Sequence, residues 1–169
     1  MKYKIILLNL LILFLFGCSN KEVETIATPN IKINVIKNNI EYNEKINLSD
    51  LITLPDNYKY EDFKIDTLSL GTKEIKFNYV DEEENKHTFK FEINIKDTTK
   101  PMILHRTTYT YEKGTDVNLL DKIICGDNYD DYLQCNIKGK YDTNKVGTYK
   151  LYFTAEDSSG NLTESPFNL

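Results

Sequence analysis

The sequence has 169 residues, a formal net charge of −5 and a pI near 5.1. That length makes one domain or two small ones, and an acidic chain with no basic patch to neutralise phosphates excludes nucleic acid as a partner. Tyrosine is abundant at 12, threonine and isoleucine are frequent, and glycine and proline sit at punctuation points, a composition that favours strands.

The chain opens with "MKYKIILLNLLILFLFGCSN". Lys2 and Lys4 precede an apolar run, Ile5 to Phe16, broken only by Asn9. A run of about twelve fits a signal-peptide core, whereas a spanning helix needs about twenty residues. Leu15-Phe16-Gly17-Cys18 then resembles the bacterial lipobox, with Phe16 bulkier than that pattern's usual residue. The resemblance implies a signal peptide over 1–17, cleavage before Cys18, and a diacylglyceryl group on the Cys18 thiol. An ordinary secretory signal with a chance cysteine is the plainer alternative. Two acyl chains, at about 0.8 kcal/mol per buried methylene, make a stable anchor. The resemblance to a lipobox therefore implies a place at a bacterial cell membrane, lipid-anchored on the extracytoplasmic face, with the membrane as a partner through Cys18. Residues 18–29 are polar and aperiodic and read as a lipidated tether; as a flexible coil it spans roughly 15–20 Å.

The remainder repeats itself. "IDTLSLGTKEIKFNYVDEEEN" (Ile65–Asn85) aligns without a gap on "YDTNKVGTYKLYFTAEDSSGN" (Tyr141–Asn161), 76 residues later. Upstream, "INLSDLI" at Ile46–Ile52 aligns with "VNLLDKI" at Val117–Ile123, so the second copy carries an insertion of about five residues. In the first copy Ile75 and Phe77 alternate with Lys76 and Asn78, and Phe89, Phe91, Ile93 and Ile95 with Lys90, Glu92 and Asn94. In the second, Leu151 and Phe153 alternate with Lys150 and Thr154. Period two is the signature of a half-buried strand. Turn signals at Gly71, Glu82–Asn85, Gly114 and Ser158–Asn161 separate such strands, as in a β-sandwich.

"KDTTKP" (Lys96–Pro101), the "VNL" segment and the closing "YDTNKVGTYKLYFTAEDSSGN" together resemble the bacterial immunoglobulin-like repeats, related to hyalin-type repeats, found in tandem on Gram-positive surface proteins. The likeness is good over 98–169 and looser over 30–97. It implies an all-β fold of two tandem immunoglobulin-like sandwiches, 30–97 and 98–169, joined by a short link.

Structural roles follow for the motif residues. Gly147 is expected where a side chain would clash at the start of a strand. Tyr149 stands where a tyrosine corner ties a loop back to its strand; the first copy has Lys73 there, so its corner is expected to be absent and its packing looser. Asp157 can accept N–H groups across its turn, and Gly160 or Asn161 can take positive φ. The last strand, followed by little chain and carrying Pro166, is expected to form a clipped edge.

Cys125 and Cys135 flank "GDNYDDYLQ" in the inserted region. In an exported protein two cysteines this close pair as a disulfide; two reduced thiols are the alternative. The enclosed Asp127, Asn128, Tyr129, Asp130, Asp131 and Tyr132 form a candidate ligand loop. Its tyrosines are rigid amphipathic contacts of paratope type, and its carboxylates and amide suit calcium, though the spacing matches no EF-hand and a solvated acidic loop is the plain reading. No other metal, cofactor or catalytic residue is expected. Only His87 and His105 are present, both expected at the surface, and no phosphate loop, HExxH or GxSxG occurs. The expected function is a noncatalytic surface lipoprotein whose tandem domains act as an adhesion or binding module or as a spacer, with an unknown protein or glycan partner. The alternative is an accessory carbohydrate-binding or envelope-complex subunit serving an enzyme or transporter.

Overall fold

The computed structural model describes residues 33–169. The signal segment 1–17, Cys18 and the tether 18–29 lie outside the described residues. Eleven strands and two single-turn 3-10 segments follow in order. In the first half these are β1 (Asn34–Val35), β2 (Asn39–Glu41), β3 (Ile52–Thr53), β4 (Lys59–Tyr60), β5 (Gly71–Val80) and β6 (Lys86–Lys96). In the second they are β7 (Met102–Leu104), β8 (Ile124–Gly126), β9 (Cys135–Lys138), β10 (Lys150–Glu156) and β11 (Leu162–Asn168).

The fold is all-β and no sheet crosses residue 97. In the first half β1 pairs with β3, and a four-stranded sheet runs β2-β6-β5-β4. In the second, β7 pairs with β8, and a three-stranded sheet runs β11-β10-β9. The correspondence extends to the edges: β2 lies parallel to the end of β6, and Thr108 bridges in parallel to Asn168 at the end of β11. Each half is thus a short sandwich of immunoglobulin type, with the first strand split between the two layers. The aligned "NL" motifs also fold alike. Leu48–Asp50 and Leu119–Lys122 each make one 3-10 turn after an asparagine, Asn47 or Asn118. Leu48 and Leu119 are fully buried beneath these turns. Among the described residues no helix is long and apolar enough to cross a membrane.

The alternating residues point inward as their period requires. Ile75, Phe77, Ile93 and Ile95 are buried, together with Ile40, Leu48, Leu51 and Ile52 from the other strands and turn of that half. Phe89 and Phe91 are only half-buried, at the open end of β6. In the second half Tyr109, Leu119, Leu151, Phe153 and Phe167 form one buried cluster, flanked by Ile103, Val117, Ile123 and Ile137. Phe153 and Phe167 stack with ring centres 3.9 Å apart and planes 12° from parallel.

Several expectations change. β11 is an edge strand and, at seven residues against eleven in β6, is shortened as expected, yet it pairs with every residue of β10, Pro166 opposite Tyr152. Gly147 is not needed for space, since a Cβ there would meet nothing within 4 Å. The glycine with that role is Gly139, whose φ is +126° and whose Cβ would fall 2.5 Å from Leu151 Cδ2. The corner at Tyr149 has its hydrogen bonds, from Oη to the Asp142 carbonyl at 2.9 Å and the Lys145 carbonyl at 3.1 Å. The first copy keeps the same tie by other means. Lys73 Nζ donates to the carbonyl of Asp66, the residue aligned with Asp142, at 2.9 Å, and to Asp66 Oδ2 at 2.8 Å. A long ammonium side chain spans the gap that the phenol spans in the second copy.

Candidate functional site

Residues 33–169 belong to one compact unit, and its two halves meet around the link 97–101. Glu41, at the end of β2, accepts the Thr98 N–H at 3.1 Å and the Thr99 hydroxyl at 2.8 Å. Burial works to raise the Glu41 carboxyl, but the hydrogen bonds from Thr98, Thr99 and Asn128 together hold it below its ordinary value. From the second half, Asn161 Nδ2 donates to the Asp97 carbonyl at 3.2 Å. Tyr129 meets Tyr42 of the first half edge to face, with centres 4.9 Å apart.

Three carboxylates converge at this junction. Asp97 comes from the link, Asp127 from the loop after β8 and Asp157 from the β10–β11 turn, and each offers an oxygen within 4.8 Å of the others. Asp97 is 5% and Asp157 6% exposed. Asp157 holds its own turn, accepting the Asn161 N–H at 2.7 Å and Asn161 Nδ2 at 2.9 Å, and Gly160 takes the positive φ of +87° that the turn requires. Asp127 Oδ1 accepts the N–H groups of Tyr129 at 2.9 Å and Asp130 at 3.2 Å. The second oxygens of Asp97 and Asp127 are buried and accept no hydrogen bond. Burial pushes the Asp97 carboxyl up, and the charges of Asp127 and Asp157 add to the shift; the Thr99 N–H and the Ser159 side chain oppose it.

The sequence-defined ligand loop is therefore divided. Cys125 and Cys135 form a disulfide with Cα atoms 6.3 Å apart. It joins β8 to β9 and so ties the two layers of the second half together. Asp127 and Asn128 face the junction and Tyr129 packs on Tyr42. Asp130 accepts the Ser158 N–H at 2.7 Å and hydroxyl at 2.9 Å. Asp131 and Tyr132 are exposed, Tyr132 at 97%. Of the loop's three carboxylates only Asp127 enters the cluster, whose other members, Asp97 and Asp157, come from the link and the β10–β11 turn. In the sequence Asp97 is only part of a link, and no local pattern marks it as a site.

Both histidines are half-buried rather than freely exposed. His105 Nδ1 lies 2.7 Å from the Arg106 carbonyl and Nε2 lies 2.6 Å from Ser165 Oγ, with the ring edge-on to Phe153 at 5.0 Å. Its nitrogens are satisfied at the margin of a core. His87 stacks on Tyr79 and its Nε2 lies 2.7 Å from Asp81 Oδ2. Asp81 aligns with Asp157 and builds the same turn, accepting the N–H groups of Glu83 and Asn85 at 2.9 Å. The hydrogen bond from His87 holds the Asp81 carboxyl at about 2, below its ordinary 3.8; burial opposes this and the Asn85 and Glu83 bonds assist. A folded value below the unfolded one stabilises fully above pH 3.8, and that contribution is lost as pH falls from there through about 2. The native chain should therefore melt above Asp81→Asn at pH 5, and thermal scans at falling pH should show the gap closing by about pH 2. A gap independent of pH would refute the role given to the carboxylate.

A separate cleft of about 220 Å³ opens at the opposite end of β10, lined by Tyr109, Tyr111, Glu112, Asp142, Val146 and Tyr149 among others.

No family model matches this chain, and no curated protein does. Among solved structures it is similar to the fibronectin(III)-like modules of Clostridium thermocellum CbhA, at 13% identity over 82% of this chain and 92% of that one, with a TM-score of 0.32.

Proposed function

We propose that the chain is a noncatalytic bacterial surface lipoprotein. Cys18 carries a diacylglyceryl anchor, residues 18–29 lift the folded part off the membrane, and the two sandwiches form a short spacer that presents the disulfide-closed loop. The observation that supports a spacer best is the clamped link. Glu41 binds Thr98 and Thr99, Asn161 binds Asp97, and Tyr42 meets Tyr129, so the two halves hold one orientation. Tyr132, projecting from a loop stapled at both ends, is suited to contact a protein or glycan partner at low ordering cost.

The cleft favours a second reading, an accessory carbohydrate-binding or envelope-complex subunit. Its exposed Tyr111, beside Asp142 and Glu112, offers the stacking and acceptor groups that sugars use.

Fatty-acid labelling of cells expressing the full chain tests the first reading. Label should enter the chain, disappear in Cys18→Ser, and follow the protein into the membrane fraction. An unlabelled chain released in soluble form would overturn the lipoprotein reading. Retention on purified wall glycan that is lost in Tyr111→Ala and kept in Tyr132→Ala would favour the second reading.

A further inference from the structure

We propose that Asp97, Asp127 and Asp157 bind a calcium ion that locks the two halves together, with Asn128 contributing its amide oxygen. The inference does not depend on lipid anchoring or on any external partner.

Three acidic groups gathered together would otherwise repel one another, and the protein supplies no counter-charge: among the described residues none of the three enters an ion pair. Two of their oxygens, Asp97 Oδ2 and Asp127 Oδ2, are buried with no donor. Buried carboxylate oxygens normally have a hydrogen bond or a metal, and Asp97 is 5% exposed.

The duplication provides an internal comparison. In the first copy the turn aspartate, Asp81, has His87 at 2.7 Å on its free side. The residue aligned with His87 in the second copy is Thr163, whose hydroxyl donates instead to the Pro101 carbonyl at 2.6 Å. The side chain that serves Asp81 is thus replaced by one that turns away from Asp157. In its place stand two further carboxylates, an arrangement that a divalent cation completes.

The ligand set fits calcium. It consists of hard oxygens lying within 4.8 Å of one another, close enough to share one ion with metal–oxygen bonds of about 2.3–2.6 Å. The Asn128 amide lies 3.3 Å from Oδ1 of both Asp97 and Asp127. With nitrogen inward it donates to both carboxylates. With oxygen inward it adds a neutral ligand, and its nitrogen then faces Glu41 Oε1 at 3.5 Å. Cation binding would select the second orientation. Magnesium, which demands a near-ideal octahedron and dehydrates reluctantly, is poorly served by ligands from three separate segments.

The test uses the full chain in detergent, stripped with EDTA, and follows binding by calorimetry and unfolding by circular dichroism. Calcium should bind one to one with a Kd of about 0.1–1 mM, as in extracellular modules. At 10 mM it should raise the melting temperature by about 3–8 °C, with magnesium giving less than about a quarter of that shift. Asp97→Asn separates cation binding from a framework role. In EDTA it should melt at or above the parent, because a buried repulsive charge is gone, and the calcium shift should vanish. Asp127→Asn should lose the shift likewise, while Asp131→Asn, at an exposed loop position, should keep it. The proposal is overturned by no calcium shift in the parent, by an equal shift with magnesium, by an equal shift in Asp97→Asn, or by an Asp97→Asn chain that is less stable than the parent in EDTA.

Discussion

Phe153→Ala should cost the second half about 4 kcal/mol, the usual range for emptying a phenylalanine site being about 3–5. The side chain is fully buried. It stacks on Phe167 at 3.9 Å, and Tyr109 and His105 approach it edge-on at 6.1 and 5.0 Å. These neighbours belong to separate strands and loops, so the cavity has no single flexible wall that could collapse into it. Because no sheet crosses residue 97, the loss should be local at first. Hydrogen exchange should show the β10 and β11 amides losing protection while β5 and β6 retain theirs. A loss below about 1 kcal/mol, or equal loss of protection in both halves, would show that the cores are not organised as described.

Removing the disulfide in a Cys125→Ser/Cys135→Ser chain should cost about 3 kcal/mol, from the loop-closure entropy of a cross-link over about eleven residues. The melting temperature should fall by about 10 °C. The bond crosses between the β7–β8 layer and the β9–β10–β11 layer of the second half, and the first half has no cysteine. Asp127 follows Cys125 by two residues, so the same change should also weaken the junction. Calcium affinity should drop several-fold while the Asp81–His87 turn in the first half is unaffected. Unchanged unfolding midpoints in the double variant would mean that the inserted loop is held by its hydrogen bonds from Ser158 to Asp130 and does not need the cross-link.

Much of the framework is legible in the sequence alone. Ile75 with Phe77, and Leu151 with Phe153, were recognisable as inward-facing because a period of two has only one inward phase. The aligned asparagine-leucine motifs marked equivalent places, although their 3-10 turns were not foreseen. Residue identity misled where a different side chain does the same work. Lys73 in the sequence suggests a missing corner, yet its ammonium reaches the carbonyl equivalent to the one Tyr149 reaches in the other copy. Gly147 is the glycine that the motif marks as sterically required, whereas Gly139 is the position that faces Leu151. Glu84, aligned with Gly160, takes a φ of 65°, so the first copy builds the same turn without the residue best suited to it.

Sequence by itself determined the duplicated all-β framework, because alternation and turn chemistry are local properties carried by neighbouring residues. It also supplied the lipobox-like Cys18, which lies outside the described residues. Only the tertiary structure decided the junction. Asp97, Asp127 and Asp157 follow one another at intervals of thirty residues, and each by itself is an ordinary link, loop or turn aspartate. They become one charged cluster because the second sandwich brings its loop and its turn together against the link, a long-range event that leaves no periodic trace in the chain.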